Sequence, residues 1–179
     1  IFYDGTQNIV EGMDPYVIVE KGNKRIGIIG TIGFGLEYSI AQSRIEGYDF
    51  GNPITQIAAY STYLRETELC DIIIVVAHDS GSSLNADINQ LTGSAAVDIV
   101  FNGHSHNEYA RYEGDVPVIQ SGSNGEAVGH ARILFNTTGI ESFEIENIGK
   151  YSNPYLQLED PAVKTILETY QLETDSLFN

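Results

Sequence analysis

The sequence predicts an α/β fold built on a parallel sheet. Two aliphatic runs carry that expectation, Asp71-Ile-Ile-Ile-Val-Val-Ala77 and Asp98-Ile-Val-Phe-Asn102. Continuous β-branched runs of this length read as strands buried on both faces, as in a parallel sheet covered by helices. The residues between them have a weakly apolar middle (Leu84, Ile88, Leu91) and are numerous enough for the right-handed crossover that parallel neighbours require. A third observation lies upstream, where Asn52-Pro53 supplies a cap residue followed by proline at the first helical position. Ile54, Ile57, Ala58, Ser61 and Leu64 then recur at helical spacing, so an amphipathic helix is expected to about Glu68.

The remaining elements follow in order. Tyr16 to Glu20 alternates as a strand, Lys21-Gly-Asn-Lys24 is a turn, and Arg25-Ile-Gly-Ile-Ile-Gly30 is a buried strand paired to the first as a hairpin. Gly30, Gly33 and Gly35 do not make a dinucleotide fingerprint, because Tyr38 stands where its third glycine belongs; glycines here fit a tight loop or close packing. Tyr60 and Tyr63 read as packing and surface residues. Strand, helix, strand, weaker helix, strand is a doubly wound order. After residue 106 the character changes: Val116 to Gln120, Glu126 to Phe135 and Gly139 to Ile148 read as antiparallel strands forming a second layer or an edge. Asp160-Pro161 opens a last helix whose stripe of Val163, Ile166, Leu167 and Tyr170 runs to about Leu172. Such a helix docks on the domain or leads into another.

Charge narrows the partners. Nine basic against twenty-five acidic residues give a formal net charge of −16. Duplex nucleic acid and anionic membranes are poor partners for such a surface, since binding them needs Lys and Arg against phosphate. An acidic chain that handles a phosphate substrate needs a local positive charge, and a divalent metal is the simplest supplier. The single Cys70 excludes an intramolecular disulfide framework and a zinc ribbon, and it reads as a small apolar residue beside the first long strand. No apolar run approaches the twenty or so residues of a transmembrane helix. The opening on Ile1 rather than Met reads as a cut chain.

Both aliphatic runs lead straight into histidine. His78 follows the first, and the loop Asn102-Gly-His-Ser-His106 follows the second. In open α/β sheets ligands sit beyond the carboxyl ends of the strands, so His78, His104 and His106 are expected to converge at one rim. A lone histidine after a strand is more often a hydrogen-bonded loop residue, but three of the chain's four histidines stand at two equivalent strand ends, which points to a metal or phosphate site. His130 lies within a later strand and is expected to be structural.

The order Tyr16-Val-Ile-Val-Glu20, Arg25 to Gly30, Asp71 to His78, Asp98-Ile-Val-Phe-Asn-Gly-His-Ser-His106 and Val118-Ile-Gln-Ser-Gly-Ser-Asn-Gly125 resembles the calcineurin-like metallophosphoesterases. Within them it is most similar to the bacterial 5′-nucleotidase and 2′,3′-cyclic-nucleotide 2′-phosphodiesterase branch. The resemblance implies half of a four-layer α/β/β/α sandwich, with residues 1–150 as the C-terminal half of the catalytic domain and 151–179 as a linker helix toward a second domain. It implies that His78 and His104 share one divalent metal ion and His106 binds another, the metal being any of Zn, Mn, Fe, Co or Ca. The family's Gly two residues after the first of these histidines is replaced, since Asp79 and Ser80 precede Gly81. Its Asp-x-His, Gly-Asp-x-x-Asp and Gly-Asn-His-Glu motifs do not occur in this sequence, so the missing N-terminal half of the same domain is the expected partner beside a nucleotide or phosphoester substrate. Weak or partial metal binding and little turnover are expected of this chain alone. The implied location is extracellular, cell-surface or periplasmic. Two other readings remain open: a non-catalytic surface or interaction module that retains the fold, and a stand-alone zinc domain using His78, His104, His106 and water.

Overall fold

A computed structural model describes residues 1–178, with Ser82 described through its backbone alone. Its elements in chain order are β1 (Phe2–Tyr3), β2 (Tyr16–Lys21), β3 (Lys24–Ile32), α1 (Gln42–Ile45), β4 (Tyr48–Asp49), α2 (Pro53–Glu66), β5 (Ile72–His78), α3 (Ser82–Ile88), β6 (Ile99–Asn102), β7 (Glu108–Glu113), β8 (Val116–Ser121), β9 (Ala127–Asn136), β10 (Gly139–Gly149) and α4 (Pro161–Phe178). A six-stranded mixed sheet in the order β2-β3-β5-β6-β8-β7 dominates. Strands β3, β5, β6 and β8 are mutually parallel, and β2 and β7 close the two edges antiparallel. The β2–β3 hairpin turns on Gly22, whose φ of 63° is the positive value that tight hairpin turns demand.

One face of the sheet is covered by helix. The Asn52 side chain accepts from the Ile54 N–H at 3.0 Å, and Pro53 begins α2. This helix sends Ile57 and Leu64 into a core with Ile29, Ile73, Val75, Val100 and Val118, whose paired register puts them on the same side. Gly27 leaves the space that Leu64 fills: a Cβ there would lie 2.9 Å from Leu64 Cδ1.

The opposite face is only partly covered. The β9–β10 hairpin lies over β6 and β8, where Gly129 lets the backbone approach Phe101 and Ile119. Over β2, β3 and β5 the same face stays open, with Val17 49% and Val76 47% exposed. Burial on both faces, expected for the Asp71–Ala77 run, therefore fails at Val76, because the hairpin reaches only half of the sheet. Strand β7 lacks an aliphatic run and was not expected; its polar alternation suits an edge strand with one wet face. The last helix passes Leu172 to reach Phe178 and is exposed throughout. Among the described residues no helix is long and apolar enough to cross a membrane.

The aspartates that open the two aliphatic runs have a common job. Asp71 Oδ2 accepts from Arg25 N at 2.9 Å, and Asp98 Oδ2 accepts from Ile73 N at 2.6 Å. Each carboxylate thus caps the start of the preceding parallel neighbour and fixes register where the ladder begins. Lys24 Nζ, 2.8 Å from Asp71 Oδ1, together with the Arg25 N–H, holds the Asp71 carboxyl below its ordinary value. A depressed carboxylate contributes stability above the unfolded pKa and loses it as pH falls through the folded one. Asp71→Asn is therefore expected to cost about 1 kcal/mol near neutral pH. Urea unfolding should show that gap closing in strong acid.

Candidate metal centre at the strand ends

Parallel pairing of β5 and β6 delivers both histidine loops to one rim. His78 is the last residue of β5, on the same side of the sheet as Ile74 and Val76, and it is exposed. The chain turns sharply there, with Asp79 N donating to Ala77 O at 2.9 Å across His78. A matching three-residue turn is centred on His104, where Ser105 N donates to Gly103 O at 2.8 Å. The two loops are tied directly, since Gly103 N donates to Asp79 O at 3.2 Å. Their geometry brings His104 Nδ1 to 3.2 Å from His78 Nε2, with the rings edge-on at 81°.

Both His104 (φ 68°) and His106 (φ 59°) adopt left-handed backbone. Non-glycine residues hold that conformation at a cost of order 1–3 kcal/mol and cluster at functional sites. His106 is exposed on the same loop but does not join the other two: among the described residues no three His, Cys, Asp or Glu side chains group closely enough to hold an ion. His130 is remote on the hairpin, where its Nδ1 lies 3.1 Å from Glu146 Oε1 across β9 and β10. Cys70 is a free, buried thiol, and burial raises its pKa.

Residues to which the sequence assigned no role in the site hold these loops. Asp79 is buried, and its Oδ1 accepts from Gly81 N at 2.6 Å. Its other oxygen lies against Gly33, where a Cβ would come within 1.8 Å of it. Asn85 and Asn102 pair through both carboxamides at 3.0 and 3.2 Å, and Tyr109 donates to Asn102 Oδ1 at 3.0 Å. Burial raises the pKa of Tyr109, keeping it a hydroxyl donor. Gln120 reaches Ser105 and Asn107 from below. The available signal was a polar residue ending an otherwise apolar strand, Val116 to Ile119. A cavity of about 350 Å³ between the N-terminal segment, β3 and α2 is largely apolar, and none of the histidines lines it.

No protein-family model matches the sequence. Among curated proteins, cell wall protein Lmo0130 of Listeria monocytogenes is 26% identical over 141 residues, covering 69% of this chain and 18% of that protein. An apyrase of Tabanus yao is 31% identical over 90 residues, or 50% of this chain and 15% of the apyrase. Among solved structures, sulfate thiohydrolase SoxB of Thermus thermophilus superposes with a TM-score of 0.72 at 17% identity, over 83% of this chain and 27% of that one. A Staphylococcus aureus protein described as a 5′-nucleotidase gives a TM-score of 0.63 at 20% identity, over 82% of this chain and 31% of its own. The fold is that of the C-terminal part of a calcineurin-like metallophosphoesterase domain, as the sequence resemblance implied. The chain thus spans less than a fifth of either curated relative and less than a third of these two structures.

Proposed function

We propose that this chain is part of a metal-dependent phosphoester hydrolase acting on nucleotides, in which His78 and His104 hold one divalent ion and His106 contributes to a second. The observation that carries the reading is the 3.2 Å approach of His78 Nε2 and His104 Nδ1 at the carboxyl ends of parallel strands. Two imidazole nitrogens about 2.0–2.1 Å from one tetrahedral ion lie about 3.3 Å apart, so the pair fits a shared metal. Divalent ions bound there would supply Lewis acidity toward a phosphoryl oxygen and a lowered pKa for water. The chain's own contribution is to present two ring nitrogens from opposed turns and to hold them with buried amides. A catalytic pair of hard ions also takes carboxylates, and the other half of the domain is proposed to bring them. The open sheet face at Val17 and Val76 suits packing by a second sheet. On this reading residues 1–150 are one half of a catalytic domain, and the exposed α4 leads toward another. The apyrase and nucleotidase likenesses support nucleotides as substrates, and the cell wall relative supports a surface location.

The test is the intact parent protein assayed on 5′-nucleotides and 2′,3′-cyclic nucleotides, with metal content measured in parallel. His104→Ala is expected to lower kcat/KM by more than the 10–100-fold that outer-shell partners of a metal carry. The same variant should lose bound metal. Unchanged metal content and unchanged activity would remove the assignment; a parent that neither binds metal nor turns over would leave a surface-interaction module.

A further inference from the structure

Gln120 is 1% exposed at the end of a strand that is otherwise apolar from Val116 to Ile119. An unpaired amide there would cost about 1–3 kcal/mol. Its carboxamide is fully engaged, and only with the histidine loop. Nε2 donates to Ser105 Oγ at 2.7 Å and to Asn107 O at 2.8 Å, while Oε1 accepts from the Ser105 hydroxyl at 3.2 Å. Those two residues flank His106, and Ser105 also follows His104. We infer that Gln120 is a positioning residue for His104 and His106, acting through Ser105 and Asn107; what it positions them for rests on the metal reading above.

The physical case is one of strain and direction. Left-handed backbone at two nearby non-glycine residues persists only where the surroundings over-determine it. Gln120 supplies that restraint from the inner side: Ser105 is half-buried against it, whereas His104 and His106 point outward and are exposed. The clamp is itself anchored. The Gln120 carbonyl accepts from Asn147 Nδ2 of β10 at 3.0 Å, and Gly122 N adds a second donor to Asn107 O at 3.0 Å. Drawing Ser105 and Asn107 inward is what turns the alternate side chains out.

Gln120→Met keeps the volume and removes the polar contacts. NMR of this chain should show a cross-peak between the His78 and His104 rings that the variant loses, and Zn2+ or Co2+ titration should show at least about tenfold weaker binding. A purely structural role would lower the unfolding midpoint while leaving ring contact and affinity alone. Ser105→Ala, which removes one side of the clamp, should move both readouts in the same direction by less, and it decides the matter if Gln120→Met does not fold. Retained ring contact in the folded variant overturns the inference. His104→Ala with unchanged metal affinity would overturn the metal reading alone, because the ring cross-peak in the Gln120 variant still judges the clamp.

Discussion

Asp98→Ala is expected to lower unfolding stability by about 3 kcal/mol, the low end for breaking a buried ion pair. Asp98 Oδ2 accepts from Arg65 Nη2 at 2.5 Å and from Ile73 N at 2.6 Å, and both side chains of the pair are largely covered, at 17% and 22% exposure. Truncation leaves the Arg65 guanidinium with only the Asp71 and Ala96 carbonyls, at 3.4 and 3.3 Å, in place of a carboxylate, and an unmet N–H at the start of the central strand. Burial pushes the Asp98 carboxyl up, against the pull of the Ile73 N–H and of Arg65. Ionising it therefore costs more in the fold than in the open chain, and its own linkage contribution to stability falls as pH rises through the raised folded value. The loss expected in the variant is the cost of stranded partners rather than the net worth of the pair. Asp98→Asn keeps an acceptor for Ile73 and should cost about half as much. Denaturant unfolding at constant m checks both, and a shift within about 0.5 kcal/mol for Asp98→Ala, as at an ordinary surface site, would refute the capping role of Asp98.

What could be read in the sequence depended on whether a feature was local. The parallel pairing of β5 and β6 was legible because β-branched runs and a crossover of sufficient length leave few alternatives, whereas β8, expected among the later antiparallel strands, lies in the main sheet parallel to β6. The aspartates opening those runs were visible, but their pairing with Arg25 and Ile73 N–H groups on neighbouring strands was not. Burial was overestimated at Val76, since no periodicity says how far the β9–β10 hairpin extends. Strand β7 escaped because its pairing with β8 comes from the sheet edge and not from its own residues. At the site, the His78–His104 approach followed from two equivalent strand ends, whereas the left-handed φ of His104 and His106 had no sequence signal. Gly33 read as loop freedom; its use is to admit the Asp79 carboxylate, a close approach that only the folded chain reveals.

Gly81→Ala is the second large effect, and it reaches the histidines. Gly81 precedes α3 with a φ of 96°, a backbone that costs alanine about 1–2 kcal/mol. Its Cβ would lie 2.8 Å from both Asn85 Nδ2 and Tyr109 Oη, and 3.0 Å from Asn102 Oδ1. Those groups satisfy one another, so displacing them adds about 1–3 kcal/mol of overpacking and unmet hydrogen bonds. The disturbance has two routes to the site: Asn102 is two residues from His104, and the Gly81 N–H tethers Asp79 beside His78. A fall in stability of about 3 kcal/mol together with loss of the His78–His104 ring contact is expected. Gly114→Ala is the control, because Gly114 has a φ of 62° and its Cβ would meet Asn89 Nδ2 at 2.2 Å, in the β7–β8 turn. It should destabilise the fold while leaving the ring contact in place. If both variants lose the contact, the histidines report only general loosening; if neither does, the Asn85–Asn102–Tyr109 network supports α3 and not the site.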